Sequence, residues 1–370
     1  MKIEHVDLFV VQLPLLRPFE TSSSRKSYLE HILVKAYADG LVGWGEVACP
    51  SGPFYNEETT ETCWHMLKDF LVPAVLGQTW ERVEELVALY RKVKRNRFAK
   101  AGLEMAGWDL LAQAQGLPLA RLLGGTRGEI LSGVSLGMEA DVEQLLALVE
   151  QYVGEGYRRC KCKIAPGRDV EVLRRVRERF PAVPLMADAN SAYTLADVPA
   201  LRLLDDLGLL MIEQPLAEDD IVDHAALQRE LRTPLCLDES ILSAEDARKA
   251  LDLGSCRIIN IKVSRLGGLL EAIRVHDLCY ARGIPVWCGG MHEYGIGRAA
   301  NVALASLPGF TIPGDISGSD KYYGEDIVEP PIRAVNGAIA VPTRAGLGHV
   351  PDEERIRRQA TRELSFYRGG

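Results

Sequence analysis

The chain has no CxxC pair among its eight cysteines, no surplus of basic residues, and no uninterrupted apolar run near the ~20 residues a membrane helix needs. Scattered cysteines argue against zinc sites and disulfides and suit buried free thiols in a reducing cytoplasm. Cys160 and Cys162 lie two apart, so on a strand they share a face and flank a lysine. A net charge of −8 argues against a nucleic-acid partner. The densest basic stretch, Arg91–Lys100, reads as a solvated helix face. The opening MKIEHVDLFVVQLPLL is not expected to be a signal peptide: Glu4, Asp7 and Gln12 interrupt it and no small-residue cleavage site follows.

The 370 residues are 47% hydrophobic and 25% charged. That suffices for a barrel of roughly 200–250 residues plus a smaller domain. Strands are expected over Ile3–Leu15, Ile32–Tyr37 and Val42–Val47, with Asp39-Gly40 as a turn. Helical patterns follow over Glu57–Leu71, Glu81–Val93 and Arg97–Gln115, the last stopped by Gly116 and Pro118. From Ser132 short apolar runs alternate with helical stretches: VSLG, CKCKI, LMADAN, LMIEQP, LCLDES, IINIKV, VWCGG and FTIPGD. Eight such units predict a (β/α)7β TIM-like barrel behind an N-terminal α+β capping domain. The expected division is 1–125 for the cap, 126–325 for the barrel, and 326–370 for a segment with a hairpin at Asn336-Gly337 that returns to the cap.

A spacing carries the functional signal. Lys163, Asp188, Glu213, Asp238 and Lys262 each end a strand candidate, at intervals of 25, 25, 25 and 24 residues. One βα unit has about that length, and barrel enzymes place their chemistry at the C-terminal strand ends. The three acids are expected at one height on adjacent strands. Converging carboxylates need a counter-charge, and an oxygen-only set favours a hard cation, Mg²⁺ before Mn²⁺ or Ca²⁺. Alternatively each acid caps the helix that follows. Lys161 and Lys163 share a strand face; the alternative for such a pair is two surface lysines. Lys163 and Lys262, four strands apart, would face each other across the mouth. A substrate between them would show one face to each lysine, which suits removal and return of a proton beside a carboxylate. A divalent cation would stabilise the enediolate formed. A lysine pKa of about 10.4 must fall for a base to work near neutrality, and Lys161 with the metal is expected to lower that of Lys163.

At these residues the chain resembles the enolase superfamily, in its muconate-lactonising branch, where a lysine or histidine base works with Mg²⁺. The motifs are KCK at 161–163, DANSAYT at 188–194, IEQPL at 212–216, LDES at 237–240, NIKVSRLGG at 260–268, GGM at 289–291 and PGDIS at 313–317. PFETS at 18–22, GWGEV at 43–47, GPFYNEET at 52–59 and GIGRAAN at 295–301 are most similar to the group holding o-succinylbenzoate synthases and N-succinylamino acid (N-acylamino acid) racemases. The resemblance implies Asp188, Glu213 and Asp238 as Mg²⁺ ligands (Mn²⁺ as a substitute), Lys163 and Lys262 as acid and base, and Lys161 as electrostatic support. It places Asn190, Arg265, Gly290, Met291, His292, Ser22, Tyr55 and Asp315 at the substrate. Arg265 matches an arginine of the racemase-capable members. The loops Phe19–Lys26 and Gly52–Tyr55 are expected over the mouth. GGMHEY puts His292 and Tyr294 where the family commonly has Leu and a small residue; His292 either touches substrate or is structural.

The expected activities are dehydration to o-succinylbenzoate, a step of menaquinone synthesis, and racemisation of N-succinylamino acids. Dipeptide epimerase, muconate cycloisomerase and a non-catalytic binding protein are the alternatives. Epimerases typically carry DxD near strand eight, where this chain has Asp315-Ile316-Ser317. The partner is a small carboxylate, with neither nucleic acid nor membrane, and the protein is expected to be a cytoplasmic homo-oligomer.

Overall fold

The computed structural model describes residues 1–20, 25–139 and 141–367. Ser22 and the tip of its loop lie outside the described residues. Among those described, no helix is long and apolar enough to cross a membrane.

Strands β1 (Ile3–Glu20), β2 (Arg25–Ala38) and β3 (Leu41–Val47) form an antiparallel sheet. Asp39 and Gly40, both at positive φ, make the tight turn between β2 and β3. β1 runs past its expected end at Leu15. Pro14 does not stop it because the neighbouring C-terminal strand reaches only to Val11, and an edge tolerates proline. Helix Arg97–Ala114 lies against this sheet. A Cβ on Gly45 would come within 1.9 Å of the Gly102 carbonyl oxygen, so only glycine permits so close an approach. The basic stretch is not one helix face. Arg95 and Asn96 are left-handed, at φ 49° and 51°, and separate helix Val83–Leu89 from helix Arg97–Ala114.

After β4 (Glu129–Leu131), seven parallel strands follow in sequential order. They are β5 (Val134–Leu136), β6 (Cys160–Lys163), β7 (Leu185–Asp188), β8 (Ile212–Glu213), β9 (Leu235–Leu237), β10 (Ile258–Ile261) and β11 (Val286–Cys288). The expected eighth strand is reduced to two bridges, Phe310 with Val286 and Gly314 with Ser132. These join β11 back to the start of β5. Pro313 lacks a donor for a regular ladder there. Met186, Met211, Cys236, Ile258 and Trp287 plug the interior. Cys160 and Cys162 are buried, and all eight cysteines are free.

Two short strands, β12 (Val328–Glu329) and β14 (Val350–Pro351), pair with each other. Val335 and Ala338 bond reciprocally around Asn336-Gly337, and β13 (Ala338–Ala340) pairs with β4. Finally β15 (Ala360–Tyr367) joins the cap sheet beside β1.

The register corrects the expectation of equal height. Lys163, Asp188 and Glu213 are direct partners across β6, β7 and β8. Glu213 pairs with Cys236, so Asp238 lies two residues further along. Cys236 pairs with Ile258, so Lys262 lies four beyond its counterpart. Strands tilted in a barrel climb in register around it, and the mouth-facing residue climbs with them.

Candidate active site

The strand ends bring five acidic and five basic side chains together. Lys161 lies at the bottom, above Trp287, with Nζ 5.1 Å from the ring centroid. Its ammonium touches three carboxylates: Asp315 at 2.6 Å, Asp188 at 3.0 Å and Glu213 at 3.2 Å. Arg159 donates to the other oxygen of Asp315 at 2.6 Å. Burial works to lower the Lys161 pKa, but Asp315, Glu213 and Asp188 outweigh it and hold the ammonium above the ordinary lysine range. Burial likewise pushes Asp188 up, while Lys163 and Lys161 pull it well below the carboxylate range. Glu213 goes the other way, raised by burial and by the Asp188 charge.

On one side of the mouth, Lys163 Nζ donates to Asp188 Oδ2 at 2.7 Å and to Asn190 Oδ1. On the other, Lys262 Nζ donates to Asp238 Oδ2 at 2.6 Å and to the Tyr55 hydroxyl at 3.1 Å. Burial lowers Lys262, but Tyr55, Glu239 and Glu213 hold it above the ordinary range. Arg265 donates to Asp238 Oδ1 and, at 2.6 Å, to the Asn260 carbonyl. Asn260 Nδ2 donates to Glu213 at 2.7 Å. The Gln214 amide accepts from Asp238 N–H at 3.0 Å and donates to Ser240 Oγ at 2.7 Å, setting the turn that carries Asp238.

The backbone is strained at these strand ends. Asn190, Ser191, Gln214 and His292 have φ of 42°, 64°, 38° and 62°. Left-handed non-glycine residues persist where their surroundings over-determine them, commonly at functional sites.

The cap supplies Tyr55 from the loop after β3. Glu58 anchors that loop by accepting the N–H groups of Phe98 (3.1 Å) and Ala99 (3.3 Å) at a helix N-terminus, where an anion is favoured. Beyond β11, Met291 N–H donates to Glu293 at 3.0 Å, and a Cβ on Gly290 would crowd the same carboxylate. His292 stacks at a tilt on Tyr322, ring centroids 4.8 Å apart, and its carbonyl accepts from Tyr323. Tyr294 turns away from the mouth. Its hydroxyl lies on the Leu29 and Val11 carbonyls of the cap sheet, at 2.7 and 3.0 Å, so its bulk fills the cap–barrel seam.

Lys161, Lys163, Lys262, Asp188, Glu213, Asp238, Asn190, Arg265, Tyr55 and Asp315 are thus linked through shared polar contacts. Arg159, Gln214, Glu239 and Asn260 complete the network and were not singled out in the sequence. Parity marks two of them: Arg159 and Asn260 stand two before Lys161 and Lys262, on the same strand faces.

The carboxylate set suits a hard cation: three buried acids on adjacent strands, offering oxygen alone. Among the described residues, no three His, Cys, Asp or Glu side chains are already gathered around one point for a metal. The reason is visible, since ammonium groups sit on Asp188, Glu213 and Asp238.

Comparison with known proteins agrees with this geometry. Residues 5–124 match the mandelate racemase / muconate lactonizing enzyme N-terminal domain, and 144–355 match the enolase C-terminal domain-like family. An o-succinylbenzoate synthase of Geobacillus kaustophilus is 53% identical, covering 100% of this chain and 98% of that protein. An N-succinylamino acid racemase of an Amycolatopsis species is 49% identical, covering 96% and 97%. The crystal structure of an enolase superfamily member from Listeria innocua superposes with a TM-score of 0.96 at 40% identity over 99% of both chains. The chain belongs to the enolase superfamily, in its mandelate racemase / muconate lactonizing branch, and its close relatives there include proteins named o-succinylbenzoate synthase and N-succinylamino acid racemase.

Proposed function

We propose that this protein is an o-succinylbenzoate synthase, an N-succinylamino acid racemase, or both, removing a proton α to a carboxylate through an enediolate. The observation that carries this reading is the placement of Lys163 and Lys262. They stand four strands apart, each on its own acid, on opposite sides of one mouth. Asp188, Glu213 and Asp238 would hold Mg²⁺, or Mn²⁺ in its place. Bound there, the ion supplies positive charge to the substrate carboxylate as its α-carbon loses a proton.

In racemisation, one lysine takes the α-proton from its face and the other delivers a proton to the opposite face. In the synthase reaction, Lys163 removes the α-proton and later protonates the departing hydroxide on the same face. Lys262 then stays cationic beside the developing charge. Arg265 and Tyr55 hold Asp238 and Lys262 in place, and the Tyr55 loop limits access of water. Asp315 is a lysine-positioning residue, both oxygens being engaged by Arg159 and Lys161. A carboxylate so engaged is not available to hold a substrate ammonium, which disfavours dipeptide epimerisation. The dehydration reading places the protein in the cytoplasm, on a route to menaquinone.

The test is deuterium exchange into each enantiomer of N-succinyl-phenylalanine, beside turnover of the synthase substrate. Lys163→Ala should stop exchange in one enantiomer and Lys262→Ala in the other. Wild-type rates in both assays for Lys163→Ala would overturn the assignment of this base.

A further inference from the structure

Asn190 bridges two groups of opposite hydrogen-bonding character. Its Oδ1 accepts from Lys163 Nζ, and its Nδ2 donates to Glu239 Oε1 at 3.0 Å. An ammonium only donates, so the amide has one possible orientation while Lys163 is charged. Oδ1 toward the ammonium and Nδ2 toward the carboxylate satisfies both neighbours, whereas the reverse would set NH₂ against NH₃⁺ and oxygen against carboxylate.

Glu239 stands where it can fix that orientation. It is only 9% exposed, and its Oε1 accepts from the Asn190 NH₂ at 3.0 Å. Its other oxygen, Oε2, has no hydrogen-bond partner among the described residues. Asn190 itself is held left-handed, with its N–H on Asp188 Oδ1 at 3.2 Å, so a fixed backbone presents the side chain between Lys163 and Glu239.

We infer that Glu239 is a positioning residue for Lys163, fixing the Asn190 amide so that its acceptor oxygen faces that lysine and holds it in place. The inference rests on the reading of Lys163 as one of two bases.

The experiment follows α-deuterium exchange of both enantiomers of N-succinyl-phenylalanine in Mg²⁺-loaded protein. The variants are Lys163→Ala, Glu239→Met and Glu239→Gln. Lys163→Ala identifies the enantiomer that this lysine serves. Glu239→Met removes the acceptor and should slow exchange of that enantiomer on the order of ten- to a hundredfold, the scale of a misplaced catalytic group. The other enantiomer should slow several-fold less, which also reports that the variant is folded. Glu239→Gln keeps an acceptor oxygen and should recover most of the loss. Equal slowing of both enantiomers by Glu239→Met, no slowing, or no recovery in Glu239→Gln would overturn the role of Glu239. Undiminished exchange of both enantiomers in Lys163→Ala would instead overturn the two-base reading, and this inference with it.

Discussion

Replacing Glu104 by Gln should make the stability of this protein less sensitive to rising pH. Glu104 lies on helix Arg97–Ala114 of the cap and points into the barrel where the segment after Lys262 turns into helix Leu269–Ala281. A Cβ on Gly268 would meet its Oε2 at 2.1 Å, so carboxylate and glycine fit one another. Oε1 accepts both polar contacts, from Leu270 N–H at 2.7 Å and Trp108 Nε1–H at 3.0 Å. Burial dominates these bonds and pushes the carboxyl from 4.5 up to about 7. A rise of that size corresponds to about 3 kcal/mol.

The sign follows from which state holds the proton. Below pH 4.5 both folded and unfolded chains carry a neutral Glu104, and the contribution is fully present. Between 4.5 and about 7 only the folded chain keeps the proton, and the contribution is lost as pH rises through the folded value. A glutamine keeps an Oε1 for both bonds and has no proton to lose. The stability of Glu104→Gln relative to wild type should therefore improve by about 3 kcal/mol between pH 4.5 and 8. For 370 residues, at about 2.1 cal/mol/K per residue, that is about 4 °C in Tm. Paired thermal melts of the two proteins at each pH isolate this group, because every other titration is common to both. A difference that stays constant across the range would refute the assignment of a buried, proton-holding carboxyl at this seam.

Asp238→Ala should weaken Mg²⁺ binding more than about a hundredfold, since loss even of partners outside the ligand set commonly costs about 10–100-fold; titration calorimetry with MgCl₂ measures it, and wild-type affinity would remove Asp238 from the ligand set. Chelation of the wild-type protein should abolish α-proton exchange, and Mg²⁺ should restore it. Tyr55→Phe removes the hydroxyl on Lys262 and Asp238 and should slow exchange at the Lys262-served enantiomer about tenfold or more; equal rates for both enantiomers would deny Tyr55 a role at that lysine.

Much of this site was legible because it obeys a local rule. Side chains alternate along a strand, so Lys161 and Lys163 had to share a face, and the 24- or 25-residue interval matched one βα unit. The same rule applies to Arg159 and Asn260, which could have been found by it. Glu239 and Gln214 could not, because each directly follows a mouth-facing acid and so has the opposite parity. Their directions depend on turn geometry, including a left-handed Gln214 that no spacing announces. The place of Tyr294 was hidden for a related reason: it is large where the family commonly has a small residue, and it folds back onto the carbonyls of Val11 and Leu29. Those residues lie far from it in sequence, so only the docking of the cap decides where it goes.

Height within the barrel belongs to the same class of long-range property. The interval of 25 from Glu213 to Asp238 looks like that from Asp188 to Glu213, but the register advances by two residues across one pair and not across the other. Alternation is set by each residue's own backbone, whereas register is set by closure of the whole barrel. The sequence periodicity therefore predicts which residues face the mouth, while their relative heights follow only when the segment 310–314 joins β11 to β5. The climb in register has a chemical result. It leaves Lys163 level with Asp188 and carries Lys262 two residues beyond the level of Asp238, within reach of Tyr55 from the cap. The two lysines thus occupy unlike surroundings, one on an amide and one on a phenol, although the spacing that revealed them is nearly uniform.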